Sequence, residues 1–446
     1  MDRSALPAAH LIQGLRRLVE DVTRTDLNAS KGLTDVVCGE TELISFGDNG
    51  IRYCDVAVEE LIEQGSFERV IWLLLNQILP TEEELADCSS IMADAAVIDP
   101  SVARLLAHLP MSARPLDLFP LCVSLVSFFD PTPQDLSPEA TRWRVWRILA
   151  QLPLIVSAAL GDLSDVDGHE EPPQQPSAGN GHGSIKPHES KPSSNGYTNR
   201  LVADHSEMVA KTEVFDSHSE HHPEFRFPAT ELSPEESELS WAGRLLFRLR
   251  GRKNRPTAAE DQAMNAILIC ECLSEMRPAC FAARFGISTT NHIAAALQSA
   301  STIFATQLRN DPFGWISDLL KGFRDPSQAE AWWRRREGQP MPFGFTSATN
   351  DNRASLLSEF TGRMLGSIDR IRVAAVAARL EKILANEQLV PTTDWSAARL
   401  MTLLNIPADR QALVIVIARL VGWSAQAIEQ QSSGVGLLPT LRYGTC

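Results

Sequence analysis

Outside one interior stretch, apolar residues recur at helical spacing along nearly the whole chain, and that periodicity sets the fold class. Residues 57–79 hold two apolar runs separated by Gly65-Ser66. Ser66 is placed to cap the second run, with Glu68 and Arg69 in its first turn. Another helix opens after Pro80: Thr81 is its N-cap, and Glu82, Glu83 and Glu84 suit the positive end of a helix dipole. Residues 287–308 are small and apolar nearly all round, the pattern of a buried helix. Residues 411–430 predict a helix with an apolar face from Val414 to Ile428. Alternating patterns are scarce, and only residues 51–58 read as a short extended piece. With no repeat and no sign of a doubly wound sheet, the expectation is an all-α fold.

The interior stretch, residues 161–238, is rich in Pro, Gly and Ser. It carries 16 Asp and Glu against 5 Lys and Arg and holds seven of the ten histidines. Such a segment cannot bury enough apolar surface to offset its chain entropy, so a disordered acidic insertion is expected. His218, His221 and His222 read as solvated loop in preference to a weak metal site. A net charge of −15 argues against nucleic-acid binding, which needs a basic face. No continuous run of about 18 apolar residues occurs, so no transmembrane helix is expected. The first residues also lack a secretory signal pattern. Eight cysteines are spread thinly, mostly in apolar or helical contexts, and read as free thiols in a reducing compartment. The cytoplasm is the expected location, with an organellar matrix left open. Cys270-Glu271-Cys272 reads as core thiols and not as a metal site, because neither a CxxC pair nor a nearby His accompanies it.

Four stretches, in order, resemble the citrate synthase family. The first runs from CGET (38–41) through VEEL (58–61), GSFE (65–68), LLL (73–75) and LPTE (79–82). The second is PLDL (115–118), the third EMRPACFAAR (275–284), and the fourth IARLVGWSA (417–425) with Glu429-Gln430. The resemblance implies an almost wholly helical two-domain fold. Residues 1–160 and 239–309 then form a large domain interrupted by the insertion. Residues 310–395 form a small domain that closes over the substrates, and 396–446 return to the large domain as a C-terminal helix and tail. It further implies a homodimer with the active site at the domain cleft, and condensation of acetyl-CoA or another acyl-CoA with oxaloacetate. No cofactor is implied, since the acyl-CoA is a substrate.

That chemistry needs a carboxylate to take a proton from the acyl methyl, neutral donors for the enolate and keto oxygens, and arginines to hold two carboxylates. The resemblance assigns the base position to Asp394 in PTTDWS (391–396). The same Asp also reads as an N-cap of the helical run after it, and the two roles are compatible. Arg353 in DNRA (351–354) matches a carboxylate-binding arginine, against the plainer reading of a solvated loop charge. Arg419 matches a second. Its strongly apolar neighbours demand a partner, either an anion or a buried carboxylate.

The remaining family positions have changed. The substrate-binding histidine falls on Ser274, the enol-stabilising histidine on Arg309, and the third histidine on Phe345 after the matching Phe343-Gly344. Two family glycines become Asn310 and Asp311. The arginine contributed across the dimer falls on Leu438, and the basic positions that receive CoA phosphates become residues 346–349. His292 lies too far from Arg309 to replace it locally, and His108 reads as a helix-surface or core residue. Loss of one positioned oxyanion donor costs about 10²–10³ in rate. An impaired or absent synthase reaction is therefore expected, with a dicarboxylate pocket retained or a partner subunit modulated. The alternatives are a remodelled citrate, 2-methylcitrate or alkylcitrate synthase that uses Arg309, or a structural protein whose insertion binds a partner. A heteromer with an active relative is a further possibility.

Overall fold

The computed structural model describes residues 36–47, 50–107, 109, 114–160, 232–336, 341–347 and 349–439. His10, His108, Cys446, the three histidines at 218, 221 and 222, and the insertion as far as residue 231 lie outside them. The chain opens with a small antiparallel sheet, β1 (Ile44–Gly47), β2 (Gly50–Tyr53) and β3 (Val56–Ala57), in the order β1-β2-β3. Helices α1 (Val58–Glu63), α2 (Phe67–Asn76), α3 (Glu82–Ala95), α4 (Pro100–Ala107), α5 (Pro115–Phe128) and α6 (Pro138–Ala159) follow. After the insertion come α7 (Pro234–Ser237), α8 (Trp241–Leu249), α9 (Ala258–Cys272), α10 (Pro278–Thr290), α11 (Ile293–Gln307), α12 (Pro312–Gly322) and α13 (Ser327–Arg334). A two-residue strand, β4 (Phe345–Thr346), precedes α14 (Arg353–Glu359) and α15 (Ile368–Asn386). Its partner β5 (Val390–Pro391) leads into α16 (Thr393–Leu403) and α17 (Ala408–Ser433). The fold is all-α in character, with only these short strands among the described residues.

Local chemistry forms the early helices as the sequence predicts. Ser66 Oγ accepts from Arg69 N and starts α2. Thr81 and Glu84 form a reciprocal capping box that satisfies two orphan N–H groups of α3. Two expectations are corrected. The run 287–308 is not one helix: α10 ends at Asn291 in a left-handed conformation (φ 53°), and α11 starts at Ile293. Nor is α11 buried all round, since Gln298, Ser299, Thr302 and Ile303 are exposed. The insertion also stops short of residue 238. Ser233 caps α7 with Glu236 in a second capping box, and the fully buried Glu236 carboxylate accepts from Arg248 Nη2 at 2.8 Å.

Helix α17 is the spine. It packs against α2, α5, α6, α9, α10, α11, α12 and α16. It is long and apolar enough to cross a membrane by length and composition, yet its apolar window is wholly buried inside the protein. A helix hydrophobic all round belongs in a core, and each buried Val, Leu or Ile contributes about 1.5–3 kcal/mol. Two of the polar groups it buries are held by one arginine: Gln426 and Gln430 accept from Arg284 of α10, which also bonds Glu429. Gly422 is required at the crossing with α9, because a Cβ there would lie 2.0 Å from the Cys272 carbonyl oxygen.

Candidate functional site

The end of α9, the start of α10, the loop before α14, the start of α16 and the middle of α17 meet at one cleft with two lobes. The first lobe, about 450 Å³, is polar: Phe46, Glu275, Thr346, Thr349, Asn350, Asp351, Arg353, Thr392 and Thr393 contribute to its wall. The second, about 260 Å³, is largely apolar, with Phe304, Leu308, Phe313, Phe343, Ile415 and Trp423. Ser274, Arg277, Asp394 and Arg419 line both lobes. A charged junction between a polar and an apolar chamber suits a ligand with an anionic end and a hydrocarbon end.

Asp394 is positioned by the β4–β5 pair. Thr392 N donates to Gly344 O at 2.8 Å, and α16 starts immediately after. The N-cap is Thr392, so the expectation that Asp394 caps the helix is corrected. Asp394 sits in the first turn, where a carboxylate suits the dipole. No hydrogen bond or ion pair holds its carboxylate among the described residues, so its oxygens are available to the cleft.

Arg353 is not a solvated loop charge. It is 5% exposed, and its Nε and Nη2 donate to Asp351 at 2.9 and 2.6 Å. Nη1 donates to Tyr53 Oη at 3.1 Å, Cys270 O at 2.9 Å and Leu273 O at 2.6 Å. Burial opposes the Asp351 charge, but the Arg353 hydrogen bonds outweigh it and hold that carboxyl below its ordinary range. The fork is therefore occupied by the protein itself.

Arg419 has the buried carboxylate that its surroundings demand. Its Nη2 donates to Glu271 Oε2 at 2.6 Å. Glu271 is completely buried. Burial pushes its carboxyl well above the ordinary carboxylate range against the pull of Arg419, and the Asp394 charge adds to the rise. Arg419 Nη1 and Glu271 Oε1 are buried without a hydrogen-bond partner.

The sequence-derived histidine positions do not converge. Ser274 lines both lobes, and its hydroxyl donates to Glu275 O at 3.3 Å. Phe345 does not reach the cleft. Neighbouring strand residues point to opposite faces, so Thr346 lines the polar lobe while Phe345 turns inward, 4.6 Å from the Trp395 ring. Arg309 also lies off the cleft lining. It is exposed beyond α11, where its carbonyl accepts from Arg114 Nη1 at 2.6 Å. Asp311 takes a left-handed conformation (φ 42°) and caps α12 by accepting from Gly314 N. Leu438 is 73% exposed and outside both lobes. His292, the one histidine among the described residues, precedes α11 and lines neither lobe. Cys270 and Cys272 are buried free thiols, the latter pushed up to about 12 by burial.

Two residues of the site escaped the sequence reading: Arg277, which lines both lobes, and Glu271, buried behind Arg419. A signal for Arg277 existed: it occupies the N-cap of α10, where a cation opposes the dipole and no side-chain cap forms. A local rule broken without local compensation is a mark of function.

A family model described as "Citrate synthase, C-terminal domain" matches residues 32–182 and 174–439. The chain is 22% identical over 423 residues to citrate synthase 2 of Bacillus subtilis, covering 94% of this chain and 96% of that one. It is 23% identical over 426 residues to 2-methylcitrate synthase 1 of Corynebacterium glutamicum, covering 94% and 96%. Its fold matches the citrate synthase of Thermoplasma acidophilum, solved with carboxymethyl coenzyme A and oxaloacetate, at a TM-score of 0.68, 18% identity and coverage of 94% and 96%. The citrate synthase of Pyrobaculum aerophilum matches at 0.69, 17% identity, and 93% and 91%.

Proposed function

The chain belongs to the citrate synthase family, and from that premise we propose that it keeps a dicarboxylate-binding cleft while its acyl-CoA condensation is impaired or absent. One observation carries the reading. Asp394 and Arg419 meet where the polar and apolar lobes join, and no histidine among the described residues lines either lobe. Relatives named citrate and 2-methylcitrate synthases support oxaloacetate as the dicarboxylate and a short acyl-CoA as its companion. In this reading Arg277 and the unpartnered Nη1 of Arg419 take the carboxylates, and the apolar lobe takes the acyl chain. Asp394 is the carboxylate that faces the acyl methyl. A base alone is insufficient, because the enolate oxygen needs a positioned donor worth about 10²–10³ in rate. The Ser274 hydroxyl, the neutral side-chain donor shared by both lobes, already donates to Glu275 O.

Closure of residues 310–395 as a small domain belongs to the same reading. So does a homodimer, or a heteromer with an active relative. Exposed Leu121 and Phe128 on α5, Trp143 on α6 and Ile303 on α11 support a covered face. A monomer mass by light scattering contradicts the dimer.

The test combines calorimetry with oxaloacetate and an assay of free-CoA release using acetyl-CoA and propionyl-CoA. Heat without CoA release is expected. CoA release that disappears in Asp394→Asn overturns the non-catalytic half of the proposal. Absence of heat removes the pocket and leaves a structural interaction protein.

A further inference from the structure

We infer that Glu271 is a resident counter-ion which yields Arg419 to an incoming carboxylate by taking up a proton, so that dicarboxylate capture is coupled to protonation of a buried side chain. This deepens the proposed function and rests on the dicarboxylate reading of the same cleft.

The geometry supports it in three steps. Glu271 lies in the last turn of α9 with no exposed surface, and it spends one oxygen on one nitrogen of Arg419. The other oxygen, Oε1, and the other terminal nitrogen, Arg419 Nη1, are both buried without partners. Arg419 itself is 8% exposed and forms wall to both lobes. The pair is therefore half-made: the guanidinium keeps a donor for a ligand, and the carboxylate keeps a site for a proton. An orphaned buried donor is costly, and a ligand carboxylate on Nη1 relieves that cost.

Charge then forces the second event. One guanidinium cannot neutralise two carboxylates in a low-dielectric site, and the inner one cannot move to water. The cheapest relief is a proton from solvent on Glu271, which stays hydrogen-bonded to Arg419 as a neutral acid. The surrounding groups favour that outcome. Asp394 of α16 and Asp351 before α14 raise the proton affinity of Glu271, while Arg419 of α17 and Arg353 of α14 lower it. On its own helix, Cys270 and Cys272 are thiols that burial keeps protonated, and burial does the same for Tyr53 of β2. Arg353 is already committed to Asp351. Among the buried groups around Arg419, Glu271 is the one that carries a free oxygen placed to take the proton.

The experiment is isothermal titration of the full chain with L-malate, a stable dicarboxylate, in paired buffers of different ionisation enthalpy. Ordinary carboxylic acids are fully ionised well above about pH 5, so between about pH 6 and pH 9 the ligand itself takes up no protons. Net uptake rising towards one proton per site as pH is raised across that range is expected, with Kd weakening by up to about tenfold per pH unit where uptake is full. Glu271→Gln should bind with no uptake and a flat pH profile. Binding by the unmodified chain without proton uptake overturns the coupling and leaves the dicarboxylate pocket standing. Uptake that persists in Glu271→Gln assigns the proton elsewhere and also overturns it. No heat at any pH, with oxaloacetate as well as malate, removes both readings. The paired-buffer measurement needs no variant, so poor folding of Glu271→Gln leaves it decisive.

Discussion

Replacing Arg353 by Ala separates a ligand arginine from a structural one. The sequence places it among the substrate-binding residues, whereas the structure gives its nitrogens to Asp351, Tyr53 and two carbonyls at the end of α9. Truncation leaves the Asp351 carboxylate, itself 23% exposed at the side chain, without its counter-ion. Breaking a buried pair from one side costs about 3–5 kcal/mol, and the deserted carbonyl acceptors push towards the upper end. With a urea slope of about 3 kcal/mol per M, the unfolding midpoint falls by about 1 M or more. Equilibrium urea unfolding followed by tryptophan fluorescence reads this directly, since Trp395 lies in the adjoining core. Arg353→Lys should recover only part, because an ammonium cannot span both Asp351 oxygens. A variant Arg353→Ala that unfolds within about 0.2 M of the parent while losing oxaloacetate binding refutes the argument.

Gly422→Ala should destabilise by about 3 kcal/mol or more, because its Cβ meets backbone at Cys272 and the helices must part. A thermal midpoint unchanged from the parent shows that the crossing is looser than described. Glu260 accepts from Arg250 at 3.0 Å and from Arg370 at 2.7 Å. Burial opposes its charge, but these bonds hold its carboxyl down to about 2. Because the folded value is depressed, its stabilisation is full above the ordinary 4.5 and fades as pH falls towards 2. The gap in urea midpoint between the parent and Glu260→Gln should therefore close over that range, and a constant gap contradicts it. Phe345→His should not gain CoA release, because that side chain packs on Trp395 away from the cleft. It should cost about 1–3 kcal/mol for a buried polar ring, measured by the same urea assay. A gain of turnover shows that the position reaches the cleft after all.

Much of this protein was legible in one dimension. Helical periodicity, the Ser66 and Thr81 caps and the apolar run of α17 are local properties, decided by spacing and by orphan N–H groups within a few residues. The family resemblance nominated Asp394 and Arg419, and the sequence around Arg419 added that an arginine among Val414, Ile415 and Val416 cannot be buried alone. The break at Asn291 had a local sign that the apolar pattern on either side masked: residues 288–292 are Ser-Thr-Thr-Asn-His, and Asn suits the left-handed conformation that ends α10.

Read along the chain, the residues say which segments are helical and which charges need company. Folding settles whose company they keep: Arg353 with Asp351, Arg419 with Glu271, Phe345 with Trp395. Helix formation is settled by neighbours along the chain. Ion pairing and side-chain aim depend on groups that adjoin only after folding, such as Glu271 and Arg419, 148 positions apart.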